Sequence, residues 1–133
     1  MTPTQRSLAH LRKTWPLVAV VERFNIYAKV RHDLFGFIDI LCCGPDGLLA
    51  VQTTSGANVA SRMAKIRDTP AAAIWLAWPT RKIVVHGWAK KGPRGARKLW
   101  TLREVEIIPT DVRNTTDADC MKKILPFVGQ AVC

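Results

Sequence analysis

The sequence predicts a single α/β domain in which helices flank a central mixed β-sheet. Its 133 residues, 48% of them apolar, are enough for one hydrophobic core and too few for two full-sized ones. Apolar runs of strand length alternate with two segments of helical periodicity, in the order α-β-β-β-α-β-β-β. The composition turns polar beyond Pro109, so we expect the domain to span residues 1–109 and residues 110–133 to form a tail or a short docking helix.

The first helix is predicted over residues 4–14. In "TPTQRSLAHLRKTW", Leu8 and Leu11 have helical spacing, Thr4 is a suitable N-cap, and Pro16 ends the segment. The next run, "LVAVVERF", is rich in β-branched residues and predicts a strand. The segment "NIYAKVRHD" then reads as a basic loop.

Residues 35–56, "FGFIDILCCGPDGLLAVQTTSG", predict an antiparallel hairpin. The "GPDG" sequence suits a four-residue connection over 44–47. With that loop, the numbers of every cross-strand pair sum to 91, and Asp39 falls directly opposite Gln52. Since side chains alternate between the two faces of a strand, Thr54 shares their face. Three polar side chains should therefore meet at one end of an otherwise apolar hairpin.

A second helix is predicted in "SGANVASRMAKIRD", with Ser55 as its cap. It carries two stripes, an apolar one and a polar one, which imply two different neighbours: Val59, Met63 and Ile66 on the first, Asn58, Arg62 and Lys65 on the second. Three strand-like runs follow, "AAAIWLAW", "KIVVHGWAKKG" and "KLWTLREVEII". The glycine-rich basic sequence "KKGPRGARK" is expected to be a hairpin loop that touches phosphates.

Net charge is the strongest signal in the composition. Twenty Lys and Arg against ten Asp and Glu give +10, which favours a polyanionic partner. Residues 81–103 hold no acid and eight basic residues: Arg81, Lys82, Lys90, Lys91, Arg94, Arg97, Lys98 and Arg103. Without a long basic amphipathic helix, nucleic acid is favoured over an anionic membrane. Neither a membrane-spanning apolar run nor a signal-peptide core is present, so we expect a soluble, cytoplasmic protein without a membrane partner.

An ionised Asp39 among apolar side chains needs a partner, because an unpaired carboxylate costs several kcal/mol in a desolvated site. Two interpretations are open. In the first, Asp39 accepts hydrogen bonds from Gln52 and Thr54, or pairs with Arg31 or Lys29, in a purely structural network. In the second, it binds a hard divalent cation through oxygen, with the amide oxygen of Gln52 as a weaker ligand.

These residues resemble the PD-(D/E)XK nuclease superfamily, in particular its small Holliday-junction-resolvase-like members and short phage or bacterial proteins. The resemblance covers residues 4–88 and rests on the α-β-β-β-α-β order, on Asp39 in "GFIDIL" and on Gln52-x-Thr54 in "AVQTTSG" at the (D/E)-x-K positions. It implies a restriction-endonuclease-like core with additional C-terminal strands. Glu22 in "VVERF" lies where some members place an additional acidic ligand.

Two departures from the family pattern alter the expected chemistry. Gln52 is neutral where the family has an acid, so Glu22 or Asp33 has to compensate for the missing charge. Thr54 stands where the family has lysine. The role of that lysine then falls to Lys65 or Arg62 on the following helix, or to Lys29 in the preceding loop.

By this resemblance we expect a metal-dependent DNA endonuclease, cytoplasmic in a phage-infected or bacterial cell, with Mg²⁺ or Mn²⁺ as cofactor and duplex or branched DNA as substrate. Family relatives act as homodimers, and the resemblance implies the same here. The alternative is a non-catalytic nucleic-acid-binding protein with a degenerate nuclease fold. The expected catalytic residues are Asp39, Gln52, Thr54 and Lys65, and the metal ligands are Asp39, Gln52 and Glu22. The expected nucleic-acid contacts are Lys29, Arg31, Ser55, Asn58, Arg62, Lys90, Lys91, Arg94, Arg97 and Lys98.

Overall fold

A central β-sheet of five strands, with helices on both faces, organises the chain. A computed structural model describes residues 1–112. The helices are α1 (Pro3–Leu11), α2 (Val59–Arg67) and α3 (Pro70–Trp75), with 3₁₀ turns at Gly56–Asn58 and Pro109–Asp111. The strands are β1 (Leu17–Val20), β2 (Arg23–Asn25), β3 (Val30–His32), β4 (Ile40–Gly44), β5 (Gly47–Ser55), β6 (Arg81–Lys91) and β7 (Leu99–Ile107).

The predicted mixed sheet is confirmed. Its strand order is β1-β4-β5-β6-β7, and a separate two-stranded sheet joins β2 to β3. Strands β5 and β6 are parallel, whereas every other neighbouring pair is antiparallel. Parallel strands need a crossover connection, and α2 and α3 together provide it. The carboxyl ends of β5 and β6 therefore lie at the same end of the sheet, which we call the upper end.

The register predicted for the β4–β5 hairpin is confirmed. The pairs run from Ile40↔Val51 to Gly44↔Gly47, and each sums to 91. The predicted four-residue connection over 44–47 was wrong, because Gly44 pairs with Gly47 and only residues 45–46 form the turn. The regular ladder stops at Ile40, and the N–H of Asp39 donates to the carbonyl of Val51 at 2.9 Å. Asp39 and Ile40 thus both face Val51, which is the geometry of a β-bulge. Asp39 contacts Gln52 through its side chain rather than as a ladder pair.

The two faces of the sheet bury two separate apolar clusters. On the face covered by α2 and α3, the cluster includes Phe37, Ala50, Ile83 and Val85, together with the apolar stripe of α2. On the face covered by α1, it consists of Leu11, Ile40, Cys42, Leu49, Val51 and Val84. The predicted stripe on α2 is confirmed, because Val59 and Ile66 are fully buried and Met63 packs against them.

The strand predicted at "AAAIWLAW" was wrong, because this segment forms α3. Pro70 occupies the first turn, where its missing N–H costs nothing, and the alanines that follow are the best helix formers. The buried residues Ala72 and Trp75 are three apart, which is helical spacing. The apolar run therefore reflected a short helix packed on the sheet.

Three other expected boundaries also differ from the structure. Helix α1 is capped by Thr2, whose side chain accepts from the N–H of Gln5, and it ends at Leu11 instead of residue 14. The segment read as a strand and a basic loop contains β2 and β3, which pair as a hairpin over Arg23–His32. Before Asp39, residues 34–38 form a tight turn closed by Leu34 and Ile38 instead of extending β4.

Most residues of the predicted C-terminal segment, 110–133, lie outside the described part of the chain, including the possible docking helix "CMKKILPFV". Of the described ones, Val112 is buried in the core. Among residues 1–112, no helix has the length and apolar character needed to cross a membrane.

Candidate metal centre

The upper end of the sheet positions Asp39 between two neighbouring strands. Its N–H donates to the carbonyl of Val51 on β5, and its carbonyl accepts from the N–H of Val21, just after β1; both bonds are 2.9 Å. The backbone is therefore held from both sides. Asp39 is only 3% exposed, so its carboxyl group forms few hydrogen bonds with water.

One oxygen of Asp39 accepts three hydrogen bonds from β5. Its Oδ2 lies 2.7 Å from Nε2 of Gln52, 2.8 Å from the backbone N of Thr53 and 3.1 Å from Oγ1 of Thr53. Donors of this kind favour a negatively charged carboxylate. The expected contact with Gln52 is thus present, but the threonine that touches Asp39 is Thr53 and not Thr54.

Two more carboxyl groups, those of Glu22 and Asp33, surround Asp39. A carboxylate oxygen from each of the three residues lies within 4.8 Å of the other two. Glu22 and Asp33 are half-buried. Glu22 directly precedes β2 and Asp33 directly follows β3, so they flank the first pair of that hairpin, Arg23↔His32. The hairpin register therefore places these two acids next to each other. We call Glu22, Asp33 and Asp39 the acidic cluster.

Burial and like charge make Asp39 a weak acid. Burial raises the pKa of its carboxyl to about 8, and a hydrogen bond with Asp33 together with the charges of Asp33 and Glu22 acts in the same direction. The backbone hydrogen bond from Thr53 opposes the rise. A bound cation or a bound proton would therefore offset the cost of burying Asp39 beside two other carboxyl groups.

The donor set of the acidic cluster fits a hard divalent cation. Such ions prefer carboxylate oxygen, and Mg²⁺ binds it at about 2 Å, so ligands on opposite sides of one ion are about 4 Å apart. The 4.8 Å span is close to that value. A positive ion would also offset the burial and the like charges that raise the pKa of Asp39. The chain thus holds a group of oxygens that can bind a metal ion.

The other residues expected to take part in catalysis lie in different surroundings. Thr54 is buried and is level with Gly87 of β6 in the ladder. Arg62 is half-buried on α2, whereas Lys65 is exposed. Helix α2 runs away from the upper end, and Lys65 lies about 9 Å along its axis from Val59. Of the expected metal ligands, Gln52 approaches the acidic cluster with its NH₂ group, a donor, rather than with its amide oxygen.

Apart from Arg62, the residues expected to bind nucleic acid lie in three places. Lys29 and Arg31 are exposed on the β2–β3 hairpin, where Arg31 is 3.6 Å from Glu22. Ser55 and Asn58 lie at the start of the α2 segment and are hydrogen-bonded to each other at 3.0 Å. The remaining residues, Lys90, Lys91, Arg94, Arg97 and Lys98, are all exposed in and beside the β6–β7 loop.

The β6–β7 loop extends from the same end of the sheet as the acidic cluster. Trp88 of β6 pairs with Ser55, the last residue of β5, and β6 continues for three residues to Lys91. That length carries the strand about 10 Å beyond β5. The acidic cluster, the start of α2 and the basic loop therefore share the upper end.

Sequence reasoning missed the role of Thr53, whose backbone N–H and hydroxyl both reach Asp39. The alternation rule assigns Thr53 to the opposite face, where its hydroxyl also contacts that of Thr4 at 2.8 Å. The bulge at Asp39 breaks this rule. The sequence offers Asp33 as a compensating charge, and a hairpin that includes "NIYAKVRHD" places it opposite Glu22.

A second buried polar network ties α1 to β6 and β7. Ser7 Oγ accepts from Nε1 of Trp88 at 2.8 Å and lies 3.0 Å from Nδ1 of His86. On the other side of the ring, Nε2 of His86 lies 2.7 Å from a carboxylate oxygen of Glu104. Burial lowers the pKa of His86, although Glu104 acts in the opposite direction. Because Ser7 is 0% exposed, no substrate reaches its hydroxyl, and the network is structural.

Comparison with known proteins reveals no relative of this chain: no protein-family model matches the sequence, and neither the curated proteins nor the solved structures include a significant match.

Proposed function

We propose that the protein is a metal-dependent DNA endonuclease that hydrolyses phosphodiester bonds with Mg²⁺ or Mn²⁺ held by Glu22, Asp33 and Asp39. The observation that carries this proposal is the approach of the three carboxyl groups to within 4.8 Å at one end of the sheet. Phosphate is the natural partner of a hard cation in such a site. The chain's net charge of +10 favours a polyanionic substrate.

Each residue of the site has a defined task in this reaction. Asp39, Asp33 and Glu22 hold the cation, while Gln52 and Thr53 orient the carboxylate of Asp39 through donors at 2.7–3.1 Å. When bound, a divalent cation polarises a phosphate oxygen and stabilises the negative charge that develops on it. The exposed cations of the β6–β7 loop bind the backbone of the DNA flank.

The resemblance to the PD-(D/E)XK superfamily agrees with this proposal in the order of its elements. Strands β1, β4, β5 and β6, with α1 before them and α2 in the parallel crossover, follow the α-β-β-β-α-β order. Asp33 supplies the charge that Gln52 lacks. A resolvase-like preference for branched DNA and a homodimer with two sites are further parts of the proposal.

Cleavage of labelled DNA tests the proposal directly. Four-way-junction, duplex and single-stranded substrates are incubated in Mg²⁺, Mn²⁺ or EDTA with the wild type, Asp39→Asn and Asp46→Asn. Asp46 is the matched control, because it is exposed in the β4–β5 turn at the opposite end of the sheet. We expect metal-dependent cutting that Asp39→Asn abolishes and Asp46→Asn retains. Cutting that is equal in all three proteins, or none with either metal, would overturn the proposal.

A non-catalytic nucleic-acid-binding protein is the second candidate. The observation that favours it is the donor geometry of Gln52, whose NH₂ group satisfies Asp39 without a metal. This candidate requires tight, salt-dependent DNA binding that neither Mg²⁺ nor Asp39→Asn changes. Isothermal titration with Mn²⁺ separates the two, because only the first candidate needs a metal site that Asp39→Asn destroys.

A further inference from the structure

The β2–β3 hairpin, Arg23–His32, stands apart from the hydrophobic core. We call it the arm. Every residue in it is exposed. It carries four large hydrophobic residues, and the exposed fractions are 58% for Phe24, 75% for Ile26, 99% for Tyr27 and 47% for Val30. Two-stranded hairpins are marginally stable alone in water, and contiguous exposed apolar groups mark interaction sites. We therefore expect the arm to bind a partner.

The tip of the arm is ordered by its own hydrogen bonds. Oδ1 of Asn25 accepts from the backbone N–H groups of Tyr27 at 3.0 Å and Ala28 at 3.2 Å. Lys29 completes the turn in a left-handed conformation with φ of 52°. The Tyr27 ring is thus presented to solvent by a defined turn, and little ordering is required when a partner binds.

The charge of the arm points to a polyanion. Arg23, Lys29 and Arg31 are its charged residues, and the sequence contains no acid between Arg23 and His32. A second copy of this chain, which carries +10 overall, would place like charges against the arm. DNA matches the positive charge, and aromatic side chains beside cations form the platforms on which unpaired bases stack.

The arm itself encloses an open cleft of about 520 Å³. The cleft is lined by Arg23, Phe24, Asn25, Ile26, Tyr27 and His32. Its size falls within the range of about 300–1,000 Å³ typical of pockets for small organic groups. Aromatic faces, an amide and cations around one space are a suitable set of groups for a nucleobase and its phosphate.

We propose that the arm binds unpaired nucleotides of DNA by stacking bases on Tyr27 and Phe24. This inference rests on the proposed function and names its substrate class: DNA with single-stranded or splayed bases beside the scissile phosphate. The link is geometric, because Glu22 and Asp33 flank the base of the arm. Phe24 pairs with Arg31 one step from the base of the arm, so a strand stacked along the arm from Tyr27 to Phe24 would bring its backbone towards the acidic cluster, where Arg31 lies 3.6 Å from Glu22.

Binding in EDTA tests the arm independently of cleavage. The affinity of the full chain for a fluorescent single-stranded oligonucleotide and for a duplex of the same length is measured for the wild type, Tyr27→Leu and Tyr27→Phe. The matched control is Trp78→Leu, an aromatic residue that is 62% exposed before β6 at the opposite end of the sheet. Loss of one stacked base weakens binding by about tenfold or more.

The expected pattern is specific to stacking. Tyr27→Leu should lose about tenfold in affinity for the single strand and little for the duplex, whereas Tyr27→Phe and Trp78→Leu remain within about twofold of the wild type. Equal affinity of Tyr27→Leu and the wild type for the single strand would overturn the inference. A loss shared by Tyr27→Leu and Trp78→Leu would overturn it as well.

Chemical modification of Tyr27 gives a second readout. Tyr27 is the only tyrosine in the chain, so the formation of 3-nitrotyrosine reports on this side chain alone. We expect single-stranded DNA to slow nitration and an equal concentration of duplex to slow it much less. Nitration that slows as the protein concentration rises, with a dimer in sedimentation experiments that Tyr27→Leu dissociates, would identify the arm as a self-association surface and overturn the inference.

The two proposals fail in distinguishable ways. If no metal supports cleavage but Tyr27 binds single strands as expected, the nuclease is wrong and the arm inference holds as a binding function. If Asp39→Asn abolishes cleavage while Tyr27→Leu leaves binding of single strands intact, the nuclease holds and the arm inference is wrong.

Discussion

The NH₂ group of Gln52 donates a hydrogen bond of 2.7 Å to Oδ2 of Asp39 inside the upper end of the sheet. The bonds from Gln52 and Thr53 favour the ionised form of Asp39, whereas burial and the charges of Asp33 and Glu22 favour its protonated form. The same arrangement leaves the neighbouring carboxyl groups within 4.8 Å of Asp39. The acidic cluster can therefore exist in two states, one with Asp39 hydrogen-bonded and no metal bound, and one with a metal bound. Substitutions should change the relative stability of these two states.

Gln52→Glu should make the protein more dependent on metal. The substitution removes the donor to Asp39 and adds a fourth carboxyl group, so we expect the free energy of unfolding in EDTA to fall by about 1–3 kcal/mol. Added Mg²⁺ or Mn²⁺ should restore most of the stability, because the new oxygen is a stronger ligand than an amide. Thermal unfolding with and without metal measures both effects. A melting temperature in EDTA that is equal to or above that of the wild type would contradict this expectation.

Asp39→Asn should remove a pH dependence of stability. Because the folded pKa of Asp39 is raised to about 8 from 3.8, the folded protein retains a proton that the unfolded chain has released. Stability from this group is thus complete below about pH 4 and is lost as the pH rises towards 8, by up to about 1.4 kcal/mol per pH unit. Urea titrations in EDTA from pH 5 to 8 measure the slope. We expect the wild type minus Asp39→Asn difference to decline with pH, and a difference that rises would contradict the assignment.

His86 should give a pH dependence of the opposite sign. Its pKa is lowered in the folded state by burial and by the nearby His10, although Glu104 opposes the shift. The unfolded chain therefore takes up a proton first, and stability that is present above about pH 6.5 is lost as the pH falls below it. His86→Gln should abolish this loss when unfolding is compared at pH 7.5 and 5.5. If His86→Gln loses as much stability between pH 7.5 and 5.5 as the wild type, the loss comes from other titratable groups.

Ser7→Ala should destabilise the packing of α1 on the sheet. Removal of the hydroxyl leaves Nε1 of Trp88 without its acceptor and Nδ1 of His86 without its partner. We expect the free energy of unfolding to fall by about 1–3 kcal/mol. Chemical denaturation at pH 7.5 measures the change. Ser61→Ala, on the exposed side of α2, is the control and should remain within about 0.5 kcal/mol of the wild type.

Charge removal in the β6–β7 loop should reduce the salt dependence of duplex binding. In a variant with Lys90, Arg94 and Arg97 changed to Gln, the slope of log affinity against log salt should decrease by about 0.9 for each phosphate that the variant no longer neutralises. The control is Arg12→Gln with Lys13→Gln. These residues follow α1, whose last residues pack towards the opposite end of the sheet. Equal slopes in both variants would contradict a specific role for the loop.

Local sequence determined the parts of this fold that depend on near neighbours. The "GPDG" turn and strict side-chain alternation were enough to specify the register of β4 and β5. The stripes of α2 and the basic loop between β6 and β7 could also be predicted from the sequence, because each is a property of one continuous segment. By contrast, α3 was misread because a short apolar run lacks enough turns to distinguish helix from strand.

The candidate site could be read only in part. Asp39, Gln52 and Glu22 stand out in the sequence as polar residues in apolar runs, and the hairpin register brings the first two together. The bulge that turns Asp39 towards Thr53, and the pairing of β2 with β3 that brings Asp33 beside Glu22, were decided by the tertiary structure. The alternation of apolar and polar residues predicts regular strands. The residues of the acidic cluster lie at the ends of three strands, outside the regular ladders. Contacts across such breaks depend on how the whole sheet is assembled, and no single segment encodes them.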